Sequence, residues 1–470
     1  METRLLREPW GHQVDAINFS LPKTGSMIAL GMGAGKSFAA IAVAQKAGAK
    51  AILILCPHSV LGVWNGEFRK NVEGYYVEVI RKGTNLKKAE KIFSVYEWGR
   101  INDRPIVIVI NYESAWRNPT RETLLTLMWD VLIYDESHKI KNNNGMASLF
   151  CDRLRLNARK RIGLTGTPSP HSPLDVFAQA RALDPRVFGK NYTAFRNRYA
   201  RMGGQDNTQV VEWLNQDELN KKFHSIAFVR KTSECVDLPP ISHHVIPVEL
   251  SPKARELYES LEENFYAQVS EGEITPKNAL VKLLRMQQLT SGIATYDDGS
   301  VEQVCTAKID ALREFLECIA LEEGPVITFS RFSPDVQNVI KVGEGLEWKT
   351  GEVSSRQKDL TEDAKLIPGV RLQSVQIQSG GVGIDFSDAS IAAYLSTGFS
   401  LGDFDQSVAR LHRPGQKNHT RMYHFIAAGT IDVRVRSALK RRRDVIEDIL
   451  MRRRINEDAV LLGEDGVEDE

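Results

Sequence analysis

Gly31-Met32-Gly33-Ala34-Gly35-Lys36-Ser37 sets three glycines before a lysine and a hydroxyl. Glycines let backbone N–H groups turn inward around an anion, and a helix N-terminus beyond them adds partial positive charge. In such a loop Lys36 reaches the β/γ-phosphates of a nucleotide and Ser37 places its hydroxyl on Mg²⁺. The strict spacing GxxxxGK[ST] is not met, because Leu30 stands where the first glycine belongs. An ordinary glycine-rich turn is the competing reading. About a hundred residues on, Asp135-Glu136-Ser137-His138 follows the apolar run 131–134. Two carboxylates at the end of a buried strand are costly unless a cation pairs with them. In a nucleotide site Asp135 holds the Mg²⁺ ion and Glu136 polarises the water that attacks the γ-phosphate. The plain alternative is a helix N-cap with acidic first-turn residues. The glycine-rich loop upstream weighs against it.

Further segments are ambiguous taken singly. Leu164-Thr165-Gly166-Thr167-Pro168 is either a turn or a relay in which hydroxyls report the state of a phosphate. Trp10-Gly11-His12-Gln13 offers a carboxamide able to pair with an adenine edge through one acceptor and one donor. Gln406, Arg410 and Arg413, spaced by four and three, fall close to one helical face. The two arginines are either a solvated stripe or arginine fingers for a transferring phosphoryl group. Ser379-Gly380-Gly381-Val382-Gly383-Ile384-Asp385 is a loop that backbone or phosphate can approach closely.

The elements that must carry these residues are legible from hydrophobic runs. Residues 27–30, 51–56, 106–110, 131–134 and 161–164 read as strands buried on both faces, with helices at 37–46 and 61–70 between them. Continuous apolar strands alternating with helices imply a parallel sheet, which binds ligands at the carboxyl ends of its strands. The polar motifs of the first half follow directly after such runs. A second series reads as strands at 325–329, 369–375, 391–395 and 422–426, with a helix at 403–412. Between the series, 169–300 is more polar and more helical, interrupted by Leu238-Pro239-Pro240.

Taken together, the ordered motifs resemble a superfamily-two helicase of the Swi/Snf-like DNA translocase branch, and a compact, phage-like member of it. Asp135-Glu136-Ser137-His138 is similar to that branch's Asp-Glu-x-His box, and residues 380–385 look like its Gly-Gly-x-Gly-hydrophobic-Asn/Asp segment. Arg410-Leu411-His412-Arg413-Pro414-Gly415-Gln416 is close to its Arg-x-His-Arg-x-Gly-Gln. Ile327-Thr328-Phe329-Ser330-Arg331-Phe332, and Arg230-Lys231 followed by Leu238-Pro239-Pro240, also match. Roughly residues 8 to 455 are covered. Leu30 is a departure that the superfamily tolerates, and Ser37 replaces the branch's usual threonine with the same hydroxyl chemistry.

The resemblance implies an α/β fold of two RecA-like parallel-sheet lobes with helical insertions. On that basis residues 1–235 form an ATP-binding lobe with an insertion at about 170–225, and 236–300 form a linker and the helical start of the second lobe. Residues 301–456 complete that lobe, and 457–470 are an acidic tail. The resemblance further implies an ATPase stimulated by nucleic acid, with ATP and Mg²⁺ used at the cleft between the lobes and double-stranded DNA as the track. Gln13, Gly33, Ala34, Gly35, Lys36, Ser37, Gly383 and Asp385 would bind the nucleotide. Ser37 and Asp135 would hold Mg²⁺, and Glu136, Arg410 and Arg413 would serve hydrolysis with Lys36 and Asp135. His138, Thr165, Gly166, Thr167 and Gln406 would couple the parts, while Ser59, Ser114, Ser330, Arg331 and Ser379 would meet nucleic-acid phosphates.

Composition narrows the field. With 61 basic and 60 acidic residues, overall charge does not argue for a nucleic-acid partner, although one local basic face suffices. No apolar stretch approaches the roughly 20 residues of a membrane span, and the first ten residues carry no export signal. The five cysteines form no CxxC pair, which argues against a zinc site and for buried thiols in a reducing cytoplasm, bacterial or phage-infected. A monomeric motor is expected. Three rival readings remain at this stage. A strand-separating helicase needs a wedge, for which 188–223 is the only room. A catalytically idle binding module has no use for Lys36, Glu136, Arg410 and Arg413. A small-molecule kinase does not account for residues 410–416.

Overall fold

Each of the five double-sided apolar runs of the first half forms a strand in a computed structural model of the chain. The structure describes residues 3–166, 168, 172–203, 209–235, 237–270, 276–295, 300–319, 324–378, 384–398, 400–437 and 439. Two compact units divide the chain. The first holds the residues up to Gly31 and Gly35–Lys231, and the second holds Met32–Ala34 and Thr232–Lys440.

The first unit is built on seven strands, β1 (Gly25–Leu30), β2 (Ala51–Cys56), β3 (Tyr76–Ile80), β4 (Ile106–Asn111), β5 (Trp129–Asp135), β6 (Ala158–Leu164) and β7 (Ala227–Arg230). They lie in the order β7-β1-β6-β5-β2-β4-β3, and every pairing is parallel. β1 and β4 are buried at every position, because helices cover both faces of a parallel sheet. Helices α1 (Gly11–Ser20), α2 (Lys36–Lys46), α3 (Leu61–Asn71) and α4 (Asn85–Ile101) belong to this unit. In α2 the run Phe38-Ala39-Ala40-Ile41-Ala42-Val43-Ala44 is buried throughout, so small, strongly helix-forming alanines suit a helix packed on all sides.

Between β6 and β7 stand α5 (Val176–Leu183), two further helices (Tyr192–Tyr199 and Gln216–Ile226) and an antiparallel strand pair, Ala200–Gly203 with Gln209–Trp213. Phe177, Phe195 and Tyr199 join this segment to the main core of the unit. The strand pair was not foreseen from the sequence.

The second unit carries six parallel strands, β8 (Ile241–Val248), β9 (Val326–Ser330), β10 (Thr350–Val353), β11 (Leu372–Gln376), β12 (Ile391–Tyr394) and β13 (Thr420–Ala427). Their order is β8-β13-β12-β9-β11-β10. One hydrophobic cluster includes Val326, Leu372 and Phe425, and another includes Phe329, Val375 and Tyr394. Helices α6 (Pro276–Thr290) and α7 (Leu401–Leu411) carry residues used below. Each unit therefore has a parallel α/β sheet of the class the resemblance implies. The acidic tail 457–470 lies outside the described residues.

Candidate nucleotide site

β1 stops at Leu30, where Gly31 N–H donates to Arg230 O of β7 at 2.9 Å. Gly33 and Gly35 then take left-handed φ angles of 77° and 75°, and Gly35 caps α2. A Cβ at Gly35 would stand 2.1 Å from Gln13 Nε2, so space as well as φ demands glycine there. Ala34 is buried and Ser37 half-buried. Lys36 Nζ donates to Leu30 O at 2.9 Å and Gly31 O at 3.2 Å, which curls its stem over the loop. Gln13, expected at an adenine edge, is fully buried, and its Oε1 accepts from Trp10 N–H at 3.0 Å. The structure thus sets its carboxamide between the entry to α1 and the glycine turn.

Asp135 ends β5. Its Oδ2 accepts from the Trp64 indole N–H at 2.9 Å and its Oδ1 from Glu136 N–H at 2.9 Å, while Tyr112 OH donates to its backbone carbonyl at 2.8 Å. Burial, reinforced by the charge of Glu136, pushes the Asp135 carboxyl above its ordinary value, against the bond from Trp64 and the charge of Lys36. Burial acts the same way on Glu136. There the hydrogen bond and charge of His138, with Lys36 and Lys139, prevail and hold the carboxyl below its usual range. Glu136 also has a left-handed backbone, φ 47°, a conformation that costs a non-glycine residue about 1–3 kcal/mol and persists only where the surroundings fix it.

His138 Nδ1 lies 3.2 Å from Glu136 Oε2 and 3.3 Å from Thr165 Oγ1, so three of the expected residues meet. Thr165 and Gly166 follow β6 directly, and Thr165 is buried. Thr167 lies outside the described residues. Trp64 and Gln179 also belong to this constellation and were missed. Neither sits in a polar motif, and only the fold brings them to the carboxyl end of β5.

Ser59 and Ser114 follow β2 and β4, which pair as Cys56↔Asn111, so their loops leave the sheet side by side. Ser59 is exposed, whereas Ser114 is buried and accepts from Lys88 Nζ at 2.7 Å. Lys88, on α4, had no signal in the sequence.

In the second unit, α7 begins under a Ser400 cap that accepts from Asp403 N–H at 3.2 Å. Arg410 is buried, its guanidinium 5.9 Å from the Phe329 ring centroid. Burial lowers its pKa to about 10, with Tyr394 and Asp403 acting the other way. Gln406 lies one turn earlier, half-buried. The expectation that Arg413 extends this helical face is corrected: α7 ends at Leu411, before Pro414 and Gly415, whose φ of 106° cannot continue a helix. Arg413 instead turns back, donating from Nη1 to Ile384 O at 3.0 Å, with Nε 3.7 Å from Asp385 Oδ1. Although burial opposes it, bonds from Ser387 and the charges of Arg413 and Lys365 hold the Asp385 carboxyl below its ordinary value. His412 Nε2 lies 2.8 Å from Pro239 O, tying this segment to Leu238-Pro239-Pro240, and Gln416 Nε2 donates to Ala389 O at 2.7 Å.

Ser330 is buried at the end of β9. Arg331 N–H donates to Ser396 Oγ at 2.8 Å, and its guanidinium bonds Gln287 of α6. Gly383 and Ser379 lie outside the described residues.

Comparison with known proteins identifies the family. The family model for the SNF2-related domain matches residues 12–293. The human "DNA annealing helicase and endonuclease ZRANB3" is 26% identical over 453 residues, which cover 92% of this chain and 39% of that protein. The chain thus spans about two-fifths of that relative's length. "Putative protein p41" of Acyrthosiphon pisum secondary endosymbiont phage 1 is 25% identical, with 94% of this chain and 97% of that one covered. The Sulfolobus solfataricus SWI2/SNF2 ATPase core solved with dsDNA aligns at a TM-score of 0.44 and 20% identity, over 96% of this chain and 94% of that one. With well over half its length matched by the domain model, this chain belongs to the SNF2-related family, in the Swi/Snf-like branch of superfamily two.

Proposed function

We propose that this chain hydrolyses MgATP and uses the cycle to move along double-stranded DNA. The observation that carries the reading is the carboxylate pair at the end of β5: Asp135 desolvated, Glu136 kept ionised by His138. A buried carboxylate whose charge is disfavoured suits a cation, and Mg²⁺ binds through one or two protein oxygens plus substrate phosphates. Asp135 and the Ser37 hydroxyl supply hard oxygen donors of that kind, and the ion would neutralise charge on the phosphates. Lys36 and the N–H groups of the Gly33–Gly35 turn hold the phosphates. Glu136 accepts a hydrogen bond from the attacking water and orients it. Arg410 and Arg413, from the second unit, stabilise charge on the transferring phosphoryl group, with Asp385 holding Arg413 in place.

Ser59 and Arg331 are assigned to nucleic-acid phosphates, which position a protein without reading sequence. The buried Ser114, bonded by Lys88, and the buried Ser330 could offer phosphates only their backbone. A relative named as a DNA annealing helicase supports DNA as the track, and duplex is the form that the Swi/Snf-like resemblance implies. No helix among the described residues is long and apolar enough to cross a membrane. The test is ATP turnover measured without polymer and with duplex DNA, single-stranded DNA or RNA. Duplex should stimulate most, steeply less so as salt rises. Stimulation by single strands or RNA alone would reject the duplex assignment. One observation favours a second reading: the antiparallel pair Ala200–Gly203 with Gln209–Trp213 falls within residues 188–223, the stretch with room for a strand-separating wedge.

A further inference from the structure

Gln179, on α5, lies outside every motif legible in the sequence, and its side chain is fully buried. Its Oε1 accepts from Ser137 Oγ at 2.8 Å, while Nε2 donates to Pro168 O and, at 2.9 Å, to Asp175 O. The two carbonyls fix the amide's orientation. Flipped, its oxygen would face two acceptors, and both nitrogen-bound hydrogens would lose them. The Ser137 hydroxyl is then the donor to Gln179.

Pro168 closes the segment that begins at Thr165, and Thr165 is itself reached by His138 Nδ1 at 3.3 Å. The Glu136-Ser137-His138 turn is therefore fastened to the 165–168 segment at two points. His138 reaches its first residue, and Ser137 reaches its last through Gln179. Glu136 lies at the head of this turn in a left-handed backbone that depends on its surroundings.

We infer that Gln179 is a positioning residue for hydrolysis, clamping the Glu136 turn to the segment after β6 so that displacement of either moves the other. The inference rests on the nucleotide-site reading above. Gln179 acts only through Ser137 and the backbone of Glu136.

The test is a double-mutant cycle on the full chain. Gln179→Met keeps the length and apolar burial of the side chain and removes its three hydrogen bonds. Ser137→Ala removes only the link to Gln179. The kcat and KM for ATP are measured with and without duplex DNA, alongside thermal melting. Each single variant should lower the duplex-stimulated kcat about tenfold while KM moves less than about twofold, and the double variant should be no slower than the slower single. Losses that multiply in the double variant, a rise in KM at unchanged kcat, or unchanged kinetics would overturn the inference. If Gln179→Met does not fold, Ser137→Ala decides alone, because Gln179 keeps its two bonds to carbonyls, and an unchanged kcat overturns the clamp. A wild-type chain without ATPase activity would overturn the nucleotide-site reading instead.

Discussion

His138 Nδ1 stands 3.2 Å from Glu136 Oε2 and 3.3 Å from Thr165 Oγ1, so one ring joins the proposed water-orienting carboxylate to the loop after β6. Glu136→Gln should therefore bind ATP with near-normal affinity and lose about 10²–10⁴-fold in turnover, a general-base loss. His138→Ala should keep ATP binding and lose a smaller part of kcat. Equilibrium binding of a fluorescent ATP analogue and steady-state turnover check both. Normal turnover by Glu136→Gln would remove that residue from the chemistry.

Arg410 and Arg413 differ in their surroundings, one buried near Phe329 and the other held by Ile384 O and Asp385. Each substitution to alanine should reduce ATP turnover by about 10³–10⁵-fold if the residue is an arginine finger. Nucleotide affinity should change far less. Asp385→Asn should weaken turnover as well, through Arg413. Loss of ATP binding with unchanged turnover at saturation would contradict this assignment.

Stability of the second unit should depend on Lys308 and Asp432, which pair at 2.5 Å with side chains 3% and 9% exposed. Lys308 also donates to Leu395 O, and Asp432 accepts from Thr290 Oγ1 and Ala427 N–H. Asp432→Ala leaves a buried ammonium unpaired and should destabilise by about 3–5 kcal/mol. Lys308→Met combined with Asp432→Leu should be milder. Urea unfolding followed in that unit tests the order.

Acid sensitivity should trace partly to His424, whose ring stacks on Tyr394 and lies 3.1 Å from His243. Burial, then the neighbouring His243, holds its pKa at about 3 against an ordinary 6.5. Below pH 6.5 the unfolded chain takes up a proton that the folded ring refuses until about pH 3. Its stabilising contribution is thus complete above 6.5 and shrinks as pH falls, by about 1.4 kcal/mol per unit for one proton. His424→Phe should flatten the stability profile between pH 6.5 and 4 relative to wild type. Parallel profiles would contradict the linkage.

The strands visible in the sequence were those in sheet interiors, where helices on both faces demand unbroken apolar runs. In the two large parallel sheets, the four strands that escaped, β3, β7, β8 and β10, are the edges. Three of them carry polar residues that stay at least partly exposed, Glu78, Arg230 and His243 with His244, because an edge is not closed on every side. β10 is only four residues long, and its buried Glu352 accepts from Gln337 and Ser354. The glycine loop and the Asp135–His138 turn were legible because their residue types are unusual at strand ends. Trp64, Lys88 and Gln179 were not, since each belongs to a helix and reaches its partner only through tertiary packing. Arg413 was misplaced by carrying helical spacing past Leu411, although Pro414 and Gly415 signal the stop.

The central claim, movement on intact duplex DNA, is tested most directly by displacement of a third strand from a DNA triplex. A motor travelling along the duplex should release that strand at a rate that requires ATP, falls to background in Glu136→Gln, and accompanies no separation of a tailed duplex. Efficient unwinding of the tailed duplex without triplex displacement would contradict the account and favour the strand-separating reading.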